Sequence, residues 1–150
     1  MTLTIFGRLP GMNEYINAER LNRYRAANLK AESEQLVAIY AKRDLRGWKA
    51  RGPVYMRYTW YEPNSRRDKD NISAYGRKVI QDALVKGGFL AGDGWKHITG
   101  FSDEFRVDRA RPRIEVEIIE EDDYESKGTE GARARHAAHV RGNSAAGGDF

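Results

Sequence analysis

The sequence predicts a mixed α+β domain with a small sheet of about four strands and two main helices. Three observations support this fold class. Short stretches rich in β-branched and aromatic residues are typical of strands, two longer stretches have helical periodicity, and turns containing Gly or Pro separate them. In chain order these segments read β-α-β-α-β-β, which favours one small sheet covered by helices.

The N-terminal half is predicted to contain two strands and one helix. Residues 3–6 form the first strand, and residues 7–13 form a loop rich in turn residues. The helix is predicted from about Asn22 to Arg43, since this stretch has no Pro or Gly and carries a partly periodic apolar face. A strand follows at residues 54–61, because β-branched and aromatic side chains dominate there.

The C-terminal half is predicted to contain the second helix and two more strands. The helix is expected to start near Asn71 or Ile72, and its apolar residues recur at helical spacing until Gly87-Gly88 supplies a stop. Residues 95–107 and 113–120 are predicted strands, the second with polar and apolar residues in alternation. These elements define one domain over residues 1–120.

Charge and composition limit the class of protein. With 150 residues, 40% of them hydrophobic, the chain has the composition of one globular domain. The net charge is +4, and residues 1–120 hold 22 Lys and Arg against 16 Asp and Glu, an excess of six. Such an excess is compatible with a polyanionic partner. Residues 121–150 have few apolar side chains and are predicted to be a disordered tail.

The sequence also predicts where the protein works. It has no apolar run of the roughly 18 residues needed to cross a membrane and no signal-peptide pattern at its start. The absence of Cys excludes disulfides and thiolate metal sites and fits a reducing compartment. We therefore expect a cytoplasmic protein without a membrane partner.

Two aspartates separated by one residue carry the first indication of chemistry. Asp68 and Asp70 are expected on an extended segment, where residues i and i+2 point to the same side. Two carboxylates held close together repel unless a cation lies between them, and their oxygen atoms suit Mg²⁺ or Mn²⁺. Asp93, beyond the second helix, supplies a third carboxylate. An EF-hand is excluded, because Val79 occupies the twelfth position, where a bidentate glutamate belongs.

The cations near this motif allow two interpretations. Arg66 and Arg67 precede the pair and Lys78 follows it in the helix, which suits a substrate that carries a phosphodiester. Alternatively, these cations form local salt bridges and Asp70 is a helix N-cap. The residues by themselves leave both interpretations open.

Several stretches of the chain together resemble the RusA-like Holliday junction resolvases of bacteria and their phages. The family pattern has DxDN, a helix with a lysine and a DAL segment, a glycine turn, and an acidic site before a strand. The matching stretches are Asp68-Lys69-Asp70-Asn71, Lys78, Gln81-Asp82-Ala83-Leu84, Gly88-Phe89-Leu90 and Asp93, and the opening Gly7 to Asn13 is similar too. The resemblance spans residues 3–120.

The resemblance implies a homodimeric endodeoxyribonuclease that uses Mg²⁺, or Mn²⁺ in its place, to resolve four-way DNA junctions in recombination or repair. It assigns catalysis and metal binding to Asp68, Asp70 and Asp93, and the role of helix cation to Lys78. The spacing from Asp70 to Lys78 is longer than the common family spacing, so Arg77 is an alternative to Lys78. The residues predicted to contact DNA are Arg8, Arg66, Arg67, Lys69, Arg77 and Lys96.

Several further expectations concern neighbours of the motif and the assembly. Asp82 is predicted to pair with Lys78 one helical turn away. His97 is interpreted as an ordinary strand residue, and Trp95 as a core residue with DNA contact as the alternative. The dimer interface is expected on the apolar face of the second helix or on strand 54–61. Two other functions stay open: a metal-dependent nuclease for other branched DNA, and a catalytically inactive junction-binding protein.

Overall fold

The computed structural model describes residues 1–121 of the chain. Its elements are β1 Thr2–Phe6, α1 Met12–Leu21, α2 Arg23–Asp44, β2 Val54–Glu62, α3 Lys69–Lys86, β3 Ile98–Val107 and β4 Arg113–Glu120. The predicted α+β class is confirmed, with four strands in one sheet and, within the described residues, three helices instead of two. The unpredicted helix is α1. From residue 122 onward, the predicted tail lies outside the described residues.

The strand order of the sheet is β1-β4-β2-β3. β2 pairs in parallel with β3 and antiparallel with β4, and β1 pairs antiparallel with β4. Parallel neighbours need a crossover connection, and α3 provides it between β2 and β3. The turn from β2 into α3 therefore lies at the carboxyl end of these two strands, where ligands commonly bind in open α/β sheets.

The helices cover one face of the sheet, and the alternation of side chains along the strands builds the core there. The buried residues of this face alternate along each strand and include Leu3, Ile5, Met56, Tyr58, Trp60, Ile114, Val116 and Ile118. Gly76 allows α3 to lie close to this layer, since a Cβ atom at Gly76 would be 2.7 Å from Cη2 of Trp60. This close approach explains a glycine inside a helix, where it costs roughly 1 kcal/mol relative to alanine.

The two surfaces predicted for a dimer interface differ in how much of them the monomer uses. The apolar side chains of α3, Ile72, Val79, Ile80 and Leu84, are at most 5% exposed and belong to the core. β2 is a central strand with neighbours on both sides. The interface predicted on the apolar face of α3 was therefore wrong, because core packing consumes that face, whereas β2 keeps one face with the exposed Arg57, and an interface there stays a prediction.

The two edges of the sheet differ. Asp44 and Arg43 at the end of α2 cover the edge of β1: Asp44 Oδ2 accepts a hydrogen bond of 2.8 Å from the backbone N–H of Thr4, and Arg43 donates one of 3.2 Å to the carbonyl of Thr4. The edge at β3 carries the exposed apolar side chains Phe101 and Val107. Among the described residues, none of the helices combines the length and apolar character that a membrane span needs.

Candidate active site

Asp68 and Asp70 lie at the N-terminus of α3. Asp68 is the N-cap, with extended backbone (φ −64°, ψ 148°), and Asp70 lies in the first turn. The prediction of a helix start at residue 71 or 72, with both acids on an extended segment, was therefore wrong. Acidic residues at the cap and in the first turn favour helix at that position, because free N–H groups and the positive end of the helix dipole lie there.

Both carboxylates of this acidic pair are exposed to solvent. The Asp68 side chain makes no capping hydrogen bond. Within residues 1–121, neither Asp68 nor Asp70 has a hydrogen-bond or ion-pair partner for its carboxylate. Such oxygen atoms are available to a ligand, because no protein cation has to be displaced first.

Asn71, next to the acidic pair, fixes the loop that precedes α1. Its Oδ1 accepts a hydrogen bond of 2.8 Å from the backbone N–H of Asn13, in the first turn of α1. Gly11 is the N-cap of α1 and has no side chain to do this. A Cβ atom at Gly11 would be 2.7 Å from Oδ1 of Asn71, so the glycine makes room for the amide. The DxDN asparagine thus caps α1 from a distant part of the chain.

Arg67 holds the same loop from the other side. Its guanidinium donates two hydrogen bonds to the Glu62 carboxylate, of 2.7 and 3.0 Å, and a third of 3.1 Å to the carbonyl of Leu9. The side chains of Arg67 and Glu62 are only 17% and 8% exposed. Arg8 lies 3.7 Å from the same carboxylate. Arg67 therefore stabilises the turn, and three of its five N–H donors are used by the protein.

A cleft lies beside the acidic pair. It has a volume of about 560 Å³, and its walls include Asp68, Lys69 and Asp70 on one side and Arg106 and Val107 at the end of β3 on the other. The parallel pairing of β2 with β3 brings these two strand ends together. The cleft thus joins acidic and basic side chains at the carboxyl end of the parallel strands.

Lys78 and Asp93 meet further along α3. Nζ of Lys78 lies 3.0 Å from Asp93 Oδ2 and 3.0 Å from Asp82 Oδ1, which matches the predicted pairing of Lys78 with Asp82. Asp82 also accepts Lys30 at 3.1 Å. The eight residues from Asp70 to Lys78 correspond to about 12 Å along a helix axis. Lys78 therefore reaches Asp93, and its ammonium is directed to partners beyond the acidic pair.

These contacts shift the pKa values of the cluster. Hydrogen bonds to Asp82 first and Asp93 second raise the pKa of Lys78 above its usual value. Burial alone would raise the pKa of Asp82, but hydrogen bonds from Lys78 and Lys30 outweigh it, and the pKa is lowered. Lys78 is thus held as an ammonium and Asp82 as a carboxylate at neutral pH.

Arg77, the alternative helix cation, is bound to the sheet. Its guanidinium contacts the Asp103 carboxylate on β3, which also accepts a hydrogen bond of 2.9 Å from Nε1 of Trp60. The same guanidinium lies 4.5 Å from the ring centroid of Phe101. Of the two cations considered, Lys78 is the one that contacts Asp93.

The loop that carries Asp93 is shaped by a glycine and a histidine. A Cβ atom at Gly92 would be 2.5 Å from Cδ2 of His97, so the imidazole leaves no space for a side chain there. The absence of a side chain at Gly92 thus lets His97 pack against the loop. Trp95 in the same loop is 99% exposed, so the expectation of a core residue was wrong.

The three predicted metal ligands do not converge. Within residues 1–121, no group of three or more His, Cys, Asp or Glu side chains is arranged to hold a metal ion. Asp93 pairs with Lys78, whereas Asp68 and Asp70 form a separate pair. This pair suits Mg²⁺ by its donor chemistry, because Mg²⁺ commonly binds through one or two carboxylates, with water and substrate phosphate completing the shell.

The remaining predicted DNA contacts differ in availability. Arg66 and Lys96 are exposed and without a carboxylate partner among the described residues, whereas the ammonium of Lys69 lies 5.9 Å from the ring centroid of Phe105.

A further basic segment was not assigned to DNA from sequence. We call residues 46–53 the basic connector; its exposed cations are Arg46, Lys49 and Arg51. The signal was visible as a charge run between a helix and a strand.

Comparison with known proteins adds no identification. No protein-family model matches the chain, and no curated protein sequence matches it either. Inferences about function therefore rest on the residues and their geometry.

Proposed function

We propose that this protein is an Mg²⁺-dependent endodeoxyribonuclease that cuts branched DNA, with the four-way junction as its preferred substrate. The observation that carries the proposal is the pair of unpartnered carboxylates, Asp68 and Asp70, beside a cleft with basic side chains on its rim. A phosphodiester backbone satisfies both parts of such a site, because its charge attracts the cations and its oxygen atoms share a metal ion with the carboxylates.

The residues in and around the acidic pair have different proposed roles. Asp68 and Asp70 would hold Mg²⁺, or Mn²⁺ in its place, which when bound supplies an activated water and neutralises charge at phosphorus. Arg66, which is exposed and has no ion-pair partner within residues 1–121, would bind the phosphate backbone, and Asn71 and Arg67 keep the turn in place. A metal ion can displace Lys78 from Asp93, because an ion pair at a largely exposed lysine contributes little stability.

The proposal includes a homodimer, because paired cuts on two strands need two sites in a fixed relation, which two-fold symmetry provides. The edge of β3 is the surface that supports this part. Phe101 and Val107 are 48% and 61% exposed there, and among the described residues the strand has a neighbour on one side only. Edge strands with exposed apolar side chains readily pair with another chain.

One observation favours a second function, that of a DNA-binding protein without catalysis. Asp93 is bound by Lys78, and no third acid joins Asp68 and Asp70 in the described residues. A protein with this arrangement would bind a junction through its cations and leave the phosphodiester intact.

A substrate panel separates the two functions. The full chain is incubated with end-labelled four-way junctions, three-way junctions, flaps and linear duplex, each with Mg²⁺, Mn²⁺ or EDTA. We expect paired nicks in the four-way junction with either ion and none in EDTA. Equal cutting of all branched substrates would make the enzyme a general branched-DNA nuclease. Binding without cutting under every condition would establish the non-catalytic function and refute the nuclease.

A further inference from the structure

Trp95 is the most exposed large apolar residue of the described chain, at 99%. Tryptophans are usually buried over most of their surface, so full exposure of this side chain is unusual. The two other tryptophans show the usual behaviour: Trp60 is 2% exposed, and Trp48 packs partly buried against the core. A fully exposed indole costs solvation free energy, which contact with a partner recovers.

The loop around Trp95 is held by its own backbone. The carbonyl of Gly94 accepts hydrogen bonds of 3.0 Å from the N–H groups of both His97 and Ile98. The imidazole of His97 packs on Gly92, as the short Cβ distance shows. The loop is therefore a defined turn that presents the indole, and the exposure of Trp95 does not result from a loose chain.

The surroundings of Trp95 are basic. Lys96 follows it directly and is exposed. The basic connector runs alongside this loop, because the N–H of Ala50 donates to the carbonyl of Phe89 and the N–H of Val54 donates to the carbonyl of His97, both at 2.9 Å. No carboxylate within residues 1–121 pairs with the connector cations Arg46, Lys49 and Arg51.

We infer that Trp95 stacks on a nucleobase at the branch point of the DNA, where the stacking of the duplex arms is interrupted, while the basic connector binds the adjoining phosphate backbone. The inference rests on the proposed function and adds a residue that selects branched over linear DNA. An exposed aromatic ring beside unpaired cations is the arrangement by which proteins hold single-stranded nucleic acid. Asp93 lies two residues before Trp95 and contacts Lys78, so this surface lies beside the ion pairs of Lys78 with Asp93 and Asp82.

Nucleic acid fits this surface better than a second copy of the chain. Four exposed cations without an ion-pair partner in residues 1–121, Arg46, Lys49, Arg51 and Lys96, outnumber the nearby Glu120, and two copies related by a two-fold axis would bring like charges together. A DNA backbone neutralises the same cations and releases counterions. The exposed apolar surface available to a second copy lies instead along β3.

Binding of a four-way junction and of linear duplex by the full chain in EDTA tests the inference without cleavage. Stacking on one base contributes enough that Trp95→Ala should weaken junction binding by about five- to a hundred-fold and leave duplex binding within about twofold. Trp95→Phe retains an aromatic face and should keep most of the affinity. In wild-type protein, junction DNA should quench the emission of an exposed tryptophan, and Trp95→Phe should lose this quenching.

Tyr24→Ala is the matched control, because Tyr24 is 70% exposed and has the Arg23 guanidinium 5.4 Å from its ring centroid. This variant should bind both DNAs as wild type does. If Trp95→Ala binds the junction with wild-type affinity while wild type cuts it, the stacking inference is wrong and the nuclease stands. If Trp95→Ala instead lowers the molecular mass in solution, Trp95 contacts a second copy and the inference is wrong. Failure of wild type to bind any branched DNA would refute both proposals.

Discussion

Asn71 and Arg67 show how single side chains position the candidate site. Each flanks the acidic pair in sequence, and each reaches the loop before α1, Asn71 through the N–H of Asn13 and Arg67 through the carbonyl of Leu9. The protein uses Oδ1 of Asn71 and the guanidinium of Arg67, whereas the carboxylates of Asp68 and Asp70 have no partner within residues 1–121. The two residues that flank the motif therefore build the turn, and the two aspartates between them are available to a ligand.

Replacing Asn71 by Ala should destabilise the fold, because the N–H of Asn13 loses its acceptor and Gly11 has no side chain to replace it. Loss of a helix cap typically costs about 0.5–2 kcal/mol of unfolding free energy. Urea unfolding followed by circular dichroism measures the change. Asn28→Ala, at an exposed position of α2, is the control and should lie within about 0.5 kcal/mol of wild type. Equal changes in unfolding free energy for the two variants would show that Asn71 does not cap α1.

The ion pairs of Asp82 with Lys78 and Lys30 predict how the stability of the protein depends on pH. The folded protein lowers the pKa of Asp82 below its ordinary value of 3.8, so its contribution is present above that value and is lost as the pH falls through the lower, folded pKa. Lys78 has the opposite sign: its raised pKa makes its contribution complete below 10.5 and lost in more alkaline solution.

Urea unfolding at a series of pH values from 7 down to 2 checks the acid limb. Below about pH 4, wild type should lose more unfolding free energy than Asp82→Asn, since the variant has no carboxylate to protonate there. In alkaline solution, Lys78→Met should lose less unfolding free energy than wild type as the pH rises above 10.5, since the variant has no ammonium to deprotonate. Parallel curves for wild type and Asp82→Asn would show that the ion pairs of Asp82 do not contribute to stability.

At the scale of elements, α3 is the organising helix, because it closes the parallel crossover, fills the core with one face and carries the acidic pair at its first turn. Its close contact with the sheet depends on Gly76. Gly76→Ala should lower the unfolding free energy by about 1–3 kcal/mol, since the new Cβ would overlap the indole of Trp60, and helix propensity would offset only part of this.

The comparison for Gly76 is Gly94→Ala, because the space around Gly94 is open and its backbone conformation is an ordinary one. Thermal and urea unfolding of both variants should show a loss for Gly76→Ala alone. Unchanged or increased stability of Gly76→Ala would mean that the indole moves aside at no cost.

Local patterns were sufficient for some elements and insufficient for others. The strand at β2 and the helices α2 and α3 were predictable, because their periodicity and composition lie within one segment. The role of Asn71 was not, since its partner Asn13 is 58 residues away. Trp95 was misassigned because burial was judged from residue type, whereas the loop geometry decides its exposure. Asp68 and Asp70 lie at the start of α3, but Asp93 does not join them, because packing that a single sequence does not show brings it to Lys78.

In the whole molecule, the two edges of the sheet differ in how far other side chains cover them. Side chains of α2 cover the edge at β1, whereas nothing within residues 1–121 pairs with the outer edge of β3, which carries apolar residues. If a second copy binds along β3, Phe101→Glu should shift the protein from dimer to monomer, because it places a charge in the contact. Light scattering after gel filtration measures the mass. Ile39→Glu, at a 59% exposed position of α2, should leave the mass unchanged. A monomeric wild type would contradict the dimer.

Cleavage by Asp70→Asn tests most directly whether Asp68 and Asp70 form the metal site. Wild type, Asp70→Asn and the control Glu32→Gln, an equal charge change on the exposed side of α2, are compared on a labelled four-way junction with Mg²⁺. We expect Glu32→Gln to cut as wild type does. Asp70→Asn should lose more than about a hundredfold in cleavage rate and retain junction binding. Cleavage by Asp70→Asn at the wild-type rate would contradict the assignment of the metal site.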